Sequence, residues 1–148
     1  MGNDYEIVDL GEKSAYYYLH NCYPCNILYK GLTYQCLQSA YEAQKESNKI
    51  HKLKYINVDG YTAMILSTNL NTVLDDKIFY RLLKIKFENT ELREKLLSTK
   101  NAKIIYYNTW HDCTFGICTC EKCNSIGDNK LGGYLMRLRG ELLEEEKS

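Results

Sequence analysis

This chain has almost no helix-breaking or linker sequence. Pro24 is the only proline in 148 residues, and no Ser/Gly/Pro-rich stretch or internal repeat divides the chain. Because an interior proline ends or kinks a helix, the sequence after residue 24 can form helices of ordinary length. Hydrophobic residues make up 45% of the chain, which is enough for a buried core. We therefore expect one compact domain over residues 1–148.

Apolar spacing locates the helices. Residues 35–49 contain no glycine or proline and predict a helix. Asn89 or Thr90 can cap a short helix, and Asp128 or Asn129 can cap the last one. One stripe of a further amphipathic helix consists of Ile78, Leu82 and Ile85. The stripe of the last helix, at offsets 0, 3, 4, 7 and 11, consists of Leu131, Tyr134, Leu135, Leu138 and Leu142.

Strand patterns are few and short. The segment NILYKGLTY predicts two strands joined by a turn at Lys30-Gly31, and AKIIYY (102–107) predicts a buried strand. The expected fold class is α+β and predominantly α-helical, with a few short strands.

Charge and hydropathy exclude several classes of protein. Lys and Arg together number 19, as do Asp and Glu, so the chain lacks the basic surplus of most duplex DNA binders. No stretch reaches the roughly 18–20 apolar residues of a membrane helix, and the start, MGNDYEIVDLGEK, lacks the apolar core of a signal peptide. We expect a cytoplasmic protein with no membrane partner. In that compartment the seven cysteines are expected as reduced thiols or metal ligands.

The first candidate site is one face of the helix predicted at 35–49. Gln38, Tyr41, Glu42 and Lys45 lie at i, i+3, i+4 and i+7 and share that face. A carboxylate beside an amine can form an acid/base pair or activate the amine as a nucleophile. The same spacing is also typical of a solvated face with a weak ion pair.

Two loops carry further candidates. Asp112 follows the predicted strand 102–107, with His111 as a titrating neighbour, and could serve either as a functional carboxylate or as the acceptor of an Asx turn. The segment Gly127–Gly133 runs into the last helix, where free N–H groups favour an anion, although a plain helix cap explains it too.

Three cysteines form the CxCxxC run Cys118-Thr-Cys120-Glu-Lys-Cys123. Tetrahedral zinc needs four ligands, so a zinc site would take its fourth from Cys113, from His111 or from the Cys22/Cys25 pair. Reduced loop thiols are the alternative.

Three segments, in this order, resemble the NADAR (YbiA-like) family. LHNCYPCNILYKGLTYQCLQSAYEAQK resembles its Asn-Phe-Tyr-Pro turn, strand pair and Glu-His…Gln-Ala-Gln-Lys helix. KIKFENTELREKLLSTKNAKIIYYNTWHDCTFGIC is similar to its Lys-Phe, Leu-Leu-x-Thr and Asp-x-x-Trp-Gly segment. GDNKLGGYLMRLRGEL is similar to its closing Gly-x-Asn-x-Leu-Gly-x-x-Leu-Met-x-x-Arg signature. The resemblance covers about residues 15–142.

The resemblance implies a YbiA-like fold and an N-glycosidase that hydrolyses a bond between ribose C1 and nitrogen. The implied substrate is a ribosylamine phosphate or an ADP-ribose group, free or attached to nucleic acid, and no cofactor is required. It implies that catalysis involves Asp112, Lys45 and the position held by Gln38, and Glu42, one turn from Gln38, is a further catalytic candidate. It implies ligand contacts at Asn21, Tyr23, Phe115, Gly116, Asn129, Gly132 and Arg139.

The chain departs from the family where proton transfer is expected. Gln38 and Ser39 stand in place of the Glu-His pair, and Phe115 stands where a Trp is usual. Since an amide cannot deliver a proton as a carboxylate does, Glu42 is the substitute acid if the protein is an enzyme. The alternative is a degenerate module that binds ADP-ribose or a nucleotide without turnover. A third hypothesis, from the cysteines alone, is an interaction domain with a structural zinc.

Overall fold

Helices dominate residues 5–148, the part of the chain that the structure, a computed structural model, describes. The helices are α1 (Leu37–Ala43), α2 (Lys49–Lys52), α3 (Gly60–Leu66), α4 (Asp76–Lys86), α5 (Thr90–Ser98) and α6 (Lys130–Lys147). The strands are β1 (Glu6–Ile7), β2 (Ile27–Tyr29), β3 (Leu32–Tyr34), β4 (Lys103–Ile104), β5 (Tyr107–Asn108) and β6 (Ile117–Cys118). The expectation of a predominantly helical α+β fold with a few short strands is confirmed. None of the described helices combines the length and apolar character needed to cross a bilayer.

The chain forms two compact units. One contains residues 21–92, and the other contains the described part of residues 1–20 together with 93–148. We refer to them as the central unit and the terminal unit. The single domain expected over residues 1–148 stays a prediction.

Parallel strand pairs and one long helix build the terminal unit. β1 pairs with β4, and β5 pairs with β6. Helix α6 packs against β4. Its buried side chains include Leu131, Leu135, Leu138 and Leu142. The predicted last helix is therefore confirmed, with Tyr134 only half-buried.

The central unit begins with the predicted hairpin. β2 and β3 pair antiparallel around Lys30 and Gly31, whose φ angles are 48° and 85°. Two consecutive positive φ values match the twist of a tight two-residue hairpin, and glycine adopts them without steric cost. Ile27 and Tyr34 lie opposite each other in the register and are both fully buried, which fixes the pairing.

The prediction of one helix over residues 35–49 is wrong in its length. Helix α1 begins after Cys36, whose Sγ accepts a bond from Ser39 N, and it ends at Ala43. A new helix then begins because the Asn48 side chain accepts a hydrogen bond from Ile50 N at 2.6 Å. The Asn48 cap starts a separate helix, and the helix propensities of residues 35–49 do not indicate this boundary.

The helix predicted around Ile78 and Leu82 is confirmed as α4, but its buried face is rotated. Ile78 and Ile85 are half-buried, while the core face consists of Phe79, Leu82, Leu83 and Lys86. A lysine occupies the last position of an otherwise apolar i, i+3, i+4, i+7 stripe.

Candidate functional site

A buried carboxylate lies on the face of α1 that the spacing singled out. Glu42 is 4% exposed, and both of its carboxylate oxygens are bound. Gln38 Nε2 donates to Glu42 Oε2 at 2.5 Å, and Ser67 Oγ donates to Oε1 at 2.6 Å. Lys45 Nζ lies 2.7 Å from Oε1. The structure therefore brings Gln38, Glu42 and Lys45 together, and α3 adds Ser67. We call these four residues the Glu42 cluster.

Lys45 is the member of the Glu42 cluster that reaches solvent. Its side chain is 25% exposed, whereas that of Glu42 is 5% exposed. Its ammonium lies 5.6 Å from the centre of the Tyr41 ring, and its backbone carbonyl accepts a bond from Thr72 Oγ1. An amine held between a carboxylate and an aromatic face, yet open on one side, can meet a ligand.

Asn21 precedes the cluster in the chain and contacts its helix. The Asn21 carbonyl accepts a hydrogen bond from Gln38 N at 2.9 Å. Its side chain is 5% exposed, and its Oδ1 atom has no hydrogen-bond partner within residues 5–148. A buried oxygen without a partner costs free energy, so such an atom marks a place where a ligand can donate a hydrogen bond.

A cavity of about 360 Å³ opens elsewhere in the central unit. Tyr23, Asn89, Glu91 and Lys86 contribute to its wall. Lys86 is 2% exposed, and its ammonium lies 5.7 Å from the centre of the Tyr23 ring. Burial lowers the pKa of Lys86 to about 8, against smaller raising effects of the nearby thiols Cys25, Cys36 and Cys22.

Lys86 is the residue that sequence reasoning overlooked. The signal that could have found it is the position of a lysine on the core face of α4. A buried amine at a cavity wall can bind an anionic group of a ligand, because the anion offsets the loss of the water that would otherwise solvate the ammonium.

Asp112 belongs to the terminal unit, where it folds its own loop. Its Oδ1 accepts hydrogen bonds from Thr114 N at 3.1 Å and Phe115 N at 2.9 Å. Asn108 bonds the Asp112 backbone through both ends of its amide. This is the Asx-turn geometry that was one of the two interpretations of Asp112. A catalytic role for Asp112 stays a prediction.

The glycine and asparagine of the closing signature make close contacts within the terminal unit. Asn129 Oδ1 accepts from Tyr106 N at 2.9 Å, and its Nδ2 donates to Ile104 O at 3.0 Å. A Cβ on Gly132 would collide with Ile104 O, and a Cβ on Gly116 would collide with Tyr106 O. These residues let α6 and the loop approach the 104–106 backbone closely. Packing therefore explains why glycine and asparagine occupy these positions, whether or not a ligand binds there.

Arg139 is buried and bound within the terminal unit. It is 7% exposed, and its Nη1 donates to Thr99 Oγ1 at 3.0 Å and to Ala102 O at 2.9 Å. It thus ties α6 to the turn that follows α5. Contact of Arg139 with a phosphate stays a prediction.

Four potential metal ligands meet near strand β6, one from the loop before it, one at its end and two from the loop after it. The ligand atoms of His111, Cys118, Cys120 and Cys123 all lie within 4.8 Å of one another. His111 Nδ1 is 3.4 Å from both Cys120 Sγ and Cys123 Sγ. Of the three candidates for a fourth ligand, His111 is the one whose ligand atom belongs to this group, and the Cys113 thiol lies next to it in contact with Cys123. This group can hold a metal ion.

The chain has the fold of a bacterial protein of known structure. The NMR structure of the E. coli protein YbiA superposes on it with a TM-score of 0.82, covering 100% of this chain and 90% of that chain at 23% sequence identity. The YbiA-like fold expected from the sequence is thereby confirmed. No family model matches the sequence, and no curated protein matches it either.

Proposed function

We propose that the chain is a NADAR-type N-glycosidase that hydrolyses a ribose C1–nitrogen bond. The expected substrate is a ribosylamine phosphate or an ADP-ribose group, free or attached to nucleic acid. The observation that carries the proposal is the Glu42 cluster, a buried carboxylate 2.7 Å from a partly exposed amine, in a chain with the YbiA fold.

The pair can divide the reaction into two easier steps. A separation of 2.7 Å between Lys45 Nζ and Glu42 Oε1 allows direct proton transfer, which leaves Lys45 neutral and Glu42 protonated. The neutral amine attacks C1 of the ring-opened glycosylamine and forms an imine, while Glu42 returns the proton to the leaving nitrogen. Water then hydrolyses the imine, which releases the sugar and restores the amine.

The remaining residues of the proposal bind and orient the substrate. Lys86 and Tyr23 would accept an anionic group such as a phosphate at the central-unit cavity, and the unpartnered Asn21 Oδ1 would accept a hydrogen bond from a ligand. Asp112 would stabilise positive charge that develops on the sugar. The further proposed ligand contacts are Phe115, Gly116, Asn129, Gly132 and Arg139. No cofactor enters this hydrolysis, and a zinc ion would be structural in it.

A second candidate function is a binding module without turnover. The specific observation in its favour is that Gln38 replaces the expected Glu and uses its amide to bind Glu42 at 2.5 Å. Such a protein would retain the ligand contacts while its acid is neutralised by internal partners.

One assay separates these two functions. The protein is incubated with DNA ADP-ribosylated on guanine, with NAD and with ribosylamine phosphate, and the products are analysed by liquid chromatography and mass spectrometry. We expect released base or amine, together with a borohydride-trapped adduct on Lys45. Binding of ADP-ribose by thermal shift without any released product would favour the binding module.

A further inference from the structure

The His/Cys cluster of the terminal unit has the composition of a closed zinc site. We infer that His111, Cys118, Cys120 and Cys123 bind one Zn²⁺ ion in a tetrahedral Cys₃His arrangement. With Zn–S bonds of about 2.3 Å, the ligand atoms of such a site lie roughly 3.8 Å apart. The four ligand atoms already lie within 4.8 Å of one another, so movements of about an ångström close the site.

The local backbone places these ligands beside each other. Cys118 ends β6, and its N–H donates to Ile126 O at 3.1 Å, which turns the chain back on itself. Inside the turn, Cys123 N lies 3.4 Å from Cys120 Sγ, so a backbone N–H points at a sulfur ligand. Such N–H groups stabilise the negative charge of metal-bound thiolates.

His111 completes the site through a defined atom. Its φ angle is 74°, a left-handed conformation that is uncommon for residues other than glycine. In this conformation the Nδ1 atom of His111 lies 3.4 Å from Cys120 Sγ and 3.4 Å from Cys123 Sγ. We therefore assign Nδ1 as the metal-binding nitrogen of His111.

The donor set selects zinc and a structural role. Thiolate and imidazole ligands in a tetrahedron suit Zn²⁺, whereas Mg²⁺ and Ca²⁺ require oxygen ligands. Four protein ligands leave no open position for water or substrate, as in structural zinc sites. Three thiols lose their protons on binding, so zinc affinity should fall at low pH.

The ion would cross-link the two ends of the segment that carries Asp112. His111 precedes that segment and Cys118 ends it, and Asp112, Phe115 and Gly116 lie between them. Closing this short loop restricts the unfolded chain and holds the Asp112 turn in place. This inference does not depend on the proposed glycosidase activity, because it concerns the metal content and stability of the protein.

The test is the metal content of the untagged full-length chain, expressed in zinc-supplemented medium and dialysed without chelator. Elemental analysis should give about one zinc per chain, and removal by a strong chelator should lower the melting temperature. Replacement by Co²⁺ should give the intense visible absorption of a tetrahedral thiolate complex. A well-folded wild-type protein that holds no zinc and shows no such Co²⁺ spectrum would overturn the inference.

Variants test the assignment of each ligand. Cys120→Ser, Cys123→Ser and His111→Ala should each lower the zinc content well below one, and these half-buried or exposed positions tolerate substitution better than the buried Cys118. Cys113→Ser is the matched control in the same loop and should keep its zinc. Loss of zinc in Cys113→Ser together with retention in His111→Ala would show that the assigned fourth ligand is wrong.

Discussion

The carboxylates of Glu42 and Asp112 are both held by hydrogen bonds, but by partners of different kinds. In the central unit, Glu42 binds the side chains of Gln38 and Ser67 and forms an ion pair with Lys45. In the terminal unit, the hydrogen bonds to the Asp112 carboxylate come from backbone N–H groups of its own turn. A carboxylate beside an amine can exchange a proton with it, whereas a backbone N–H is too weak an acid to give up its proton at neutral pH.

This difference suggests proton transfer as the role of Glu42 and stabilisation of the loop as the main role of Asp112. The partners of Glu42 are Gln38 on α1, Lys45 just beyond α1 and Ser67 at the end of α3, so the cluster depends on tertiary packing. The partners of Asp112 lie two and three residues further along the chain, so the turn can form locally. Substitutions at Glu42 should therefore affect turnover most, and substitutions at Asp112 should affect both the loop and, to a smaller extent, turnover.

The largest effect is expected from Glu42→Gln. The amide keeps the volume but cannot take a proton from Lys45, so we expect turnover to fall by about 10²–10⁴-fold. The measurement is kcat on the substrate found active, at a temperature where the variant is folded. Glu46→Gln is the matched control, since Glu46 is also buried but binds Tyr55 Oη at 2.8 Å, and it should keep its activity. Unchanged turnover in Glu42→Gln would contradict the proposed role.

The second prediction concerns Lys86, which is almost fully buried, whereas Lys45 is partly exposed. Lys86 is buried among thiols and aromatic rings, and burial lowers its pKa to about 8. Below about pH 8 the unfavourable burial of the charge is fully present, so Lys86→Met should raise the free energy of unfolding by up to about 3 kcal/mol. As the pH rises from about 8 towards 10.5, wild-type Lys86 loses its proton in the folded state and this advantage should disappear.

The check is chemical denaturation of wild type and Lys86→Met between pH 6.5 and 10.5. The difference between the two proteins removes the alkaline contributions of the tyrosines, and burial raises the pKa of Cys22 and of Cys25, the two thiols whose titration Lys86 itself affects. Lys84→Met, an exposed position on the same helix, should change stability by no more than about 0.5 kcal/mol. If the difference in the free energy of unfolding between wild type and Lys86→Met does not vary with pH, the pKa of Lys86 is not lowered in the folded protein. The variant should also lose any phosphate binding at the cavity.

The sequence predicted what depends on local patterns and missed what depends on packing. The hairpin at Lys30-Gly31 and the last helix follow from turn chemistry and from 3.6-residue periodicity, and both are present. Helix spacing also brought Gln38, Glu42 and Lys45 together correctly. These features depend only on residues that are close together in the sequence.

Other features needed contacts that spacing does not encode. Helix α1 ends at Ala43, a separate helix starts at the Asn48 cap, and Ser67 binds Glu42 from 25 residues away. Lys86 was overlooked because charged residues are expected on exposed faces, although here one completes the core face of α4. The choice of His111 as the fourth partner of the cysteines required the fold of the loop.

The third prediction concerns Asp112 itself. Asp112→Asn keeps an Oδ1 acceptor for the turn, so stability should change by less than about 0.5 kcal/mol, whereas Asp112→Ala should lose about 1 kcal/mol. If Asp112 also stabilises a cationic sugar, Asp112→Asn should lower kcat by about tenfold with little change in ligand affinity. Thermal melts, ligand titration and kcat on both variants make the measurement. Full activity in Asp112→Asn would leave Asp112 with the turn alone.

The smallest effect is expected from Gln38→Glu. The segment Glu42-Ala-Gln-Lys45 stands where the resemblance expects Gln-Ala-Gln-Lys, and Gln38 stands where it expects Glu, so the acid and the amide are exchanged across one helical turn. A carboxylate at position 38 would lie against Glu42 at the present 2.5 Å contact. Two carboxylates this close share one proton, so the second carboxylate does not act as an additional acid.

We therefore expect Gln38→Glu to change turnover by far less than the roughly 10² that a general acid contributes. The double variant Gln38→Glu/Glu42→Gln restores the expected order of acid and amide, and it should recover part of the activity lost in Glu42→Gln. A large gain from Gln38→Glu alone would mean that Glu42 has not replaced the missing acid. If the double variant recovers no activity, the carboxylate is required at position 42 itself, where its Oε1 atom lies 2.7 Å from Lys45 Nζ.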